Sequence, residues 1–226
     1  MLAPRPPRTR AARFIALVMM GTASAAHAQD RPPAPPPVDT AGLSQEGFGV
    51  MEMLYEATIF NVDVLTVRLE LGVKEAARLQ EAASGRPWDA ETRNALADLV
   101  LDARDALVSV RFHRDVGLDR FLEGMADGVR IARAAGLVPE DHASRVVAEA
   151  RRDFRVLEDR GIRDGDTFWY RVRGDSLHVA VQARDGEGIA EVRGHGPEHR
   201  LTLLGTYMAP GSDFREKLLQ SLPAGG

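Results

Sequence analysis

The stretch that decides the fold is Ala106-Leu-Val-Ser-Val-Arg-Phe112, together with the segment 118–135 that follows it after a short break. In the first part apolar residues alternate with Ser109 and Arg111, which predicts a β-strand. In the second part apolar residues recur at steps of three and four, and they place one stripe on a helix: Leu118, Phe121, Leu122, Met125, Val129 and Ala132. An amphipathic helix directly after a strand must pack on a neighbouring layer, so the sequence predicts helices lying on a sheet.

On the N-terminal side of this unit, the sequence predicts strands and then helices. The run from Met51 to Leu71 alternates in two parts and predicts two strands, or one bent strand with a bend or bulge at Asn61-Val62-Asp63. Residues 73–83 predict a short helix. Asp89 is a predicted N-cap for a second helix that extends to about Arg104.

On the C-terminal side, the apolar period changes from helical to alternating. Gly136 ends the central helix and Pro139 opens another. Residues 168–172 and 177–181 then alternate around a turn and predict a hairpin, and 189–192 predict an edge strand. Residues 199–207 and 213–222 predict two terminal helices, the second capped by Ser212. This order of elements predicts an α+β fold with an antiparallel sheet covered by helices on one face.

The first 28 residues predict a secretory signal peptide. They combine a leader containing four arginines, an apolar run at 14–25 and a small-residue cleavage site at Ala26-His27-Ala28. Residues 29–43 are rich in proline and predict a stiff, extended linker, and 44–226 predict a single domain. The mature protein is therefore predicted to be periplasmic or secreted, without a stable membrane span; a retained membrane anchor is the alternative.

Charge and cysteine content exclude several classes of function. The formal net charge falls from −4 to −8 when the leader is removed, because the leader holds four of the 29 basic residues and no acidic one. Such an acidic chain does not favour nucleic acid as a partner. The sequence has no cysteine, which excludes disulfides, thiolate metal sites and a cysteine nucleophile.

Few motifs point to catalysis or metal binding. His195-Gly-Pro-Glu-His199 matches the H-x-x-E-H pattern of zinc peptidases, but Gly196 and Pro197 oppose the helix that this chemistry needs, so we predict no metal site. Asp164 and Asp166 flank Gly165 and are interpreted as turn formers rather than as a Ca²⁺ or acid–base pair. No phosphate-binding glycine loop and no nucleophile elbow occurs in the sequence, so no cofactor is predicted.

Five runs stand out between about 47 and 222: Arg111-Phe-His-Arg-Asp-Val-Gly-Leu-Asp-Arg-Phe121, Arg152-Asp-Phe154, Gly161-Ile-Arg-Asp-Gly-Asp166, Arg173-Gly-Asp-Ser-Leu177 and Leu203-Leu-Gly-Thr206. In these runs and in the order of its elements, the chain resembles the chalcone isomerase-like family, and most of all its exported bacterial members. The resemblance implies an open-faced β-sandwich with a cleft between sheet and helices. In the plant enzymes that cleft closes a flavanone ring, and in related non-catalytic members it holds a fatty acid.

The resemblance also implies that catalytic groups of the plant enzymes are replaced. The family arginine position falls on Met51, the tyrosine position on Phe121 and the asparagine position on Gly128. These replacements remove the groups that would stabilise developing charge, so no catalytic residue is predicted and the protein is interpreted as non-catalytic. The alternative is an isomerase or lyase of the chalcone isomerase type, an intramolecular lyase acting on a small hydrophobic substrate, with Tyr55 and Arg68 as substitute groups.

The leading hypothesis is therefore a protein that binds a hydrophobic small molecule such as a fatty acid. Phe121, Met125, Leu204 and Tyr207 are the predicted lining residues of its cleft. Two other interpretations stay open. In the first, these residues form plain core; in the second, the cleft is filled and the domain serves as a partner-binding module.

Overall fold

The computed structural model describes residues 35–57 and 62–223. The predicted signal peptide, at 1–28, lies outside the described residues, as does residue 61 of the predicted bend.

Six strands of the described residues form one antiparallel sheet, in which every strand pairs with its neighbours in the chain. Their bounds are β1 Val50–Ala57, β2 Val62–Leu71, β3 Asp105–Phe112, β4 Thr167–Arg173, β5 Ser176–Gln182 and β6 Gly188–His195. The decisive strand lies inside the sheet as β3, where residues 106–110 are all buried. Between β1 and β2 the pairing shifts after Tyr55, which marks a bulge.

In the part of the chain that the structure describes, seven α-helices pack on one face of this sheet and enclose the main core with it. Their bounds are α1 Val73–Ala83, α2 Ala90–Leu101, α3 Leu118–Ala134, α4 Glu140–Asp153, α5 Leu157–Arg160, α6 Pro197–Met208 and α7 Arg215–Gln220. The predicted α+β class, with an antiparallel sheet and a helical layer on one face, is confirmed.

Helices α3 and α6 approach each other closely because glycines lie where they cross. A Cβ atom added to Gly128 of α3 would lie 2.5 Å from Cγ2 of Thr206, and one added to Gly205 of α6 would lie 2.8 Å from Cβ of Ala132. Neither distance is tolerated between carbon atoms. The separation of α3 and α6 at this crossing is therefore one that only glycine permits at these two positions.

The other face of the sheet is covered in part by residues 35–43. Val38 and Leu43 are buried against Leu107 and Ala180 of the sheet. The Arg171 guanidinium, itself buried, donates from Nε to the carbonyl oxygen of Asp39 at 2.7 Å. This part of the predicted linker thus packs on the sheet, because a buried arginine binds its carbonyl groups.

The bounds of three helices, α2, α6 and α7, differ from the sequence predictions. Asp89 caps α2 as predicted, since its carboxylate accepts from the Thr92 N–H at 2.9 Å, but the helix ends at Leu101. Helix α6 begins at Pro197, because proline is tolerated in a first turn. Helix α7 is shorter than predicted and is not capped by Ser212, whose hydroxyl accepts the N–H of Phe214, one residue before the helix begins.

Candidate functional site

The helix-facing side of the sheet is a floor of uncharged side chains. One row across all six strands carries a single polar atom, the hydroxyl of a tyrosine: Met51, Leu69, Val108, Tyr170, Val179 and Val192. The next row is wholly apolar: Met53, Val67, Val110, Phe168, Val181 and Ala190. Any ligand between sheet and helices therefore meets hydrocarbon on this side.

Aromatic rings pack the space between the start of α3 and the sheet. Phe121 stacks on Phe168 with ring centroids 4.7 Å apart, and Phe112 and Phe154 lie 5.8 Å and 5.5 Å from Phe168. Phe168 has no exposed surface, so this end of the layer is filled. The alternation predicted for 168–172 places Phe168 and Tyr170 on one side of the strand and Trp169 on the other. The strand register confirms this arrangement.

A second aromatic group lies between β1 and the C-terminal helices. The Phe214 ring lies 5.2 Å from Tyr207 of α6 and 5.4 Å from Tyr55 of β1. Burial raises the pKa of Tyr55, nearby Asp213 raises it further, and Arg120 opposes the shift. Tyr55 therefore stands near two charged groups, Asp213 and Arg120, at the rim of the layer.

Several side chains point between sheet and helices and still keep accessible surface. Phe121, Met125, Tyr55 and Tyr170 pack against the core but are only partly buried, while Tyr207 is 7% exposed. We name the region between sheet and helices where these five side chains lie the sheet–helix gap. Of the four predicted lining residues, Phe121 and Met125 are partly buried and Tyr207 is almost fully buried. The fourth, Leu204, has no exposed surface and packs in the core.

Tyr170 and Tyr207 bring two phenol groups into this gap from opposite layers. Within the described residues neither hydroxyl forms a hydrogen bond, and neither is among the fully inaccessible unpaired atoms. Burial raises the pKa of Tyr170 well above its ordinary value, and Tyr207 adds to that increase. Burial likewise raises the pKa of Tyr207. Both groups are thus neutral, unpaired hydrogen-bond donors facing accessible space.

The positions that the resemblance assigns to catalytic groups have structural roles here. Met51 is fully buried in the Tyr170 row, and Phe121 stacks on Phe168. Gly128 faces Thr206 at the α3–α6 crossing, where a Cβ would collide. An asparagine at this position would require the two helices to move apart.

The two substitute groups of the alternative enzyme hypothesis lie on opposite faces of the sheet. Tyr55 faces the helices. Arg68 lies on the other face, where it pairs with Glu52 at 3.0 Å and Glu70 at 2.8 Å. A single small substrate cannot contact both side chains.

A cavity of about 340 Å³ opens on the face away from the helices. Its charged lining residues largely pair with one another: Arg160 binds Asp166 in a bidentate pair, and Arg184 lies 3.3 Å from Asp164. Asp166 is buried and also accepts the Arg163 N–H, so this carboxylate is structural. The lining of this cavity is therefore more polar than the residues of the sheet–helix gap.

The H-x-x-E-H motif does not form one helical face. His195 ends β6 and His199 lies in α6, where its ring is 5.3 Å from that of His142. In the described part of the chain, no group of three or more histidine or acidic side chains is placed to hold a metal ion. Across the same residues, no helix has both the length and the apolar character needed to cross a bilayer.

Sequence reasoning missed Tyr170 as a site residue. Its alternation with Phe168 indicated the correct face of the strand, but nothing local predicted that Tyr207 would lie across from it. That juxtaposition depends on the strand order and on where α6 returns over the sheet.

Comparison with known proteins supports the fold. No protein-family model matches the sequence, and no curated protein does. Among solved structures, a fatty-acid-binding protein of Arabidopsis thaliana is similar, with a TM-score of 0.54 and 13% identity over 81% of this chain and 90% of that chain. That protein has a chalcone isomerase-like fold, so the fold implied by the resemblance is confirmed.

Proposed function

We propose that this protein binds a hydrophobic small molecule, such as a fatty acid, in the sheet–helix gap. The observation that carries the proposal is the gap itself: interior side chains on β4 and α3 keep accessible surface above a floor of uncharged residues. A lining of this kind favours an aliphatic ligand. The fatty-acid-binding protein of Arabidopsis thaliana, which has a similar fold, adds support.

We further propose that the protein works outside the cytoplasm as a non-catalytic carrier or sensor of its ligand. The leader at 1–28 and the acidic, cysteine-free mature chain support export. Intact mass spectrometry of protein from the periplasm of a secreting bacterial host tests this part. Export predicts a chain that begins at Gln29, whereas a full-length chain retained in the cytoplasm would contradict it.

Mass spectrometry of organic extracts from natively purified protein tests ligand binding. We expect one class of lipid to co-purify, and to be lost in Met125→Trp, where the larger side chain occupies the gap. Ala148→Trp, at an exposed position of α4, is the matched control and should retain the lipid. The proposal would be overturned if the purified protein contained no lipid and also did not bind fluorescent fatty acids.

A further inference from the structure

The polar groups inside the sheet–helix gap identify the class of ligand, and this inference rests on the proposed function. Tyr170 on β4 and Tyr207 on α6 present the two phenols described above, and Tyr207 is more than nine-tenths buried. A buried hydroxyl normally has a partner, because an unpaired one loses its bonds to water without replacement. Tyr170 is only partly buried, but its hydroxyl is likewise unpaired, and two unpaired donors at one place indicate that a bound molecule supplies the acceptor.

Among the described residues, the cationic side chains of this layer either lie at the rim of the gap or are bound elsewhere. The sheet rows through Tyr170 and Phe168 are uncharged. The two buried guanidiniums of the helical layer are bound elsewhere: Arg200 donates to the Leu101 carbonyl at 2.6 Å and Arg215 to the Met208 carbonyl at 2.8 Å. The charged groups closest to the gap, Arg120 and Asp213, act on Tyr55 at its rim.

An ionised head group would therefore be poorly stabilised beside the two phenols. A carboxylate without a counter-charge in an apolar site binds a proton or stays in water. A carbonyl oxygen carries no charge and accepts hydrogen bonds from phenols. We propose that the gap selects an uncharged lipid whose carbonyl oxygen accepts from Tyr170 and Tyr207: a fatty ester, a long-chain aldehyde or a fatty acid in its protonated form.

Displacement of the neutral dye Nile red by three probes with the same chain length tests the proposal: lauric acid, methyl laurate and dodecane. Between pH 6.5 and 8.5 we expect the affinity for methyl laurate to be constant. The apparent affinity for lauric acid should fall about tenfold per pH unit, because only its protonated fraction binds. Dodecane should bind more weakly than the ester.

Isosteric variants connect the result to the two phenols. Tyr170→Phe and Tyr207→Phe should each lower the affinity for methyl laurate about two- to tenfold, which is the loss expected for one hydrogen bond. The affinity for dodecane should stay unchanged. Equal losses for ester and dodecane would indicate a change of packing and would overturn the proposal.

The two levels of the hypothesis fail separately. If laurate at pH 8.5 binds as tightly as methyl laurate, and the tyrosine variants bind it normally, the head group is ionised and lies elsewhere; the gap then binds lipid but the inference is wrong. If no probe displaces the dye and the dye itself does not bind, the proposed function and the inference are both wrong.

Discussion

Replacing Tyr207 by phenylalanine should stabilise the ligand-free protein. The hydroxyl has no hydrogen-bond partner among the described residues, and its side chain is 7% exposed. An unpaired buried donor costs about 1–3 kcal/mol relative to the hydrated unfolded chain. Because this hydroxyl keeps some accessible surface, the lower end applies, and we expect a gain of about 1 kcal/mol.

Urea denaturation of delipidated protein measures this gain. The midpoint should rise at constant slope, and the melting temperature should rise by about 2–4 °C for a domain of this size. Bound lipid must be removed first, since a ligand of the folded state adds its own stabilisation. Tyr55→Phe, at the rim of the gap, is the matched control and should change stability by less than about 0.5 kcal/mol.

The same substitution should weaken binding of a carbonyl lipid, so stability and affinity change in opposite directions. A loss of about 1 kcal/mol or more in Tyr207→Phe, with an unchanged denaturant slope, would refute the reasoning. It would mean that the hydroxyl already has a partner in the ligand-free protein and is not reserved for a ligand.

Three further predictions concern the framework of the site. Gly128→Ala should lower the free energy of unfolding, measured by urea denaturation, by about 1 kcal/mol. Overpacking against Thr206 costs about 1–3 kcal/mol, and the better helix propensity of alanine offsets up to about 1 kcal/mol of this cost. A gain in stability would contradict the close crossing of α3 and α6. Burial lowers the pKa of His142, so the folded state disfavours its charged form. The stability that this group contributes should be fully present above about pH 6.5 and should fall as the pH decreases below it. Unfolding curves of His142→Gln should therefore show a smaller loss of stability between pH 7.5 and 5.5 than those of the unchanged protein. Asp166→Asn should lose about 2–3 kcal/mol in chemical denaturation, because Arg160 keeps its charge without its buried partner; an unchanged midpoint would show that the pair contributes nothing.

Local patterns in the sequence predicted most of the elements. The alternation of 106–112 and the helical stripe from Leu118 to Ala132 each depend on neighbours within a few residues, so they could be read without the fold. The same holds for Asp89, whose cap bonds lie within one turn. The α+β class followed from the order of these elements.

The tertiary structure decided which side chains meet. Arg68 and Tyr55 were candidates for one site, but the register of β1 and β2 places them on opposite faces of the sheet. Residues 35–43 have no apolar period, so their packing on Arg171 was not predictable from the sequence.

The chain alone thus determined a sheet, a helical layer and an apolar central helix, because hydrophobic period is a local property. Only the folded structure placed Tyr170 opposite Tyr207 and gave Gly128 its role. These are contacts between distant segments, and their geometry depends on strand order, register and the depth at which helices cross.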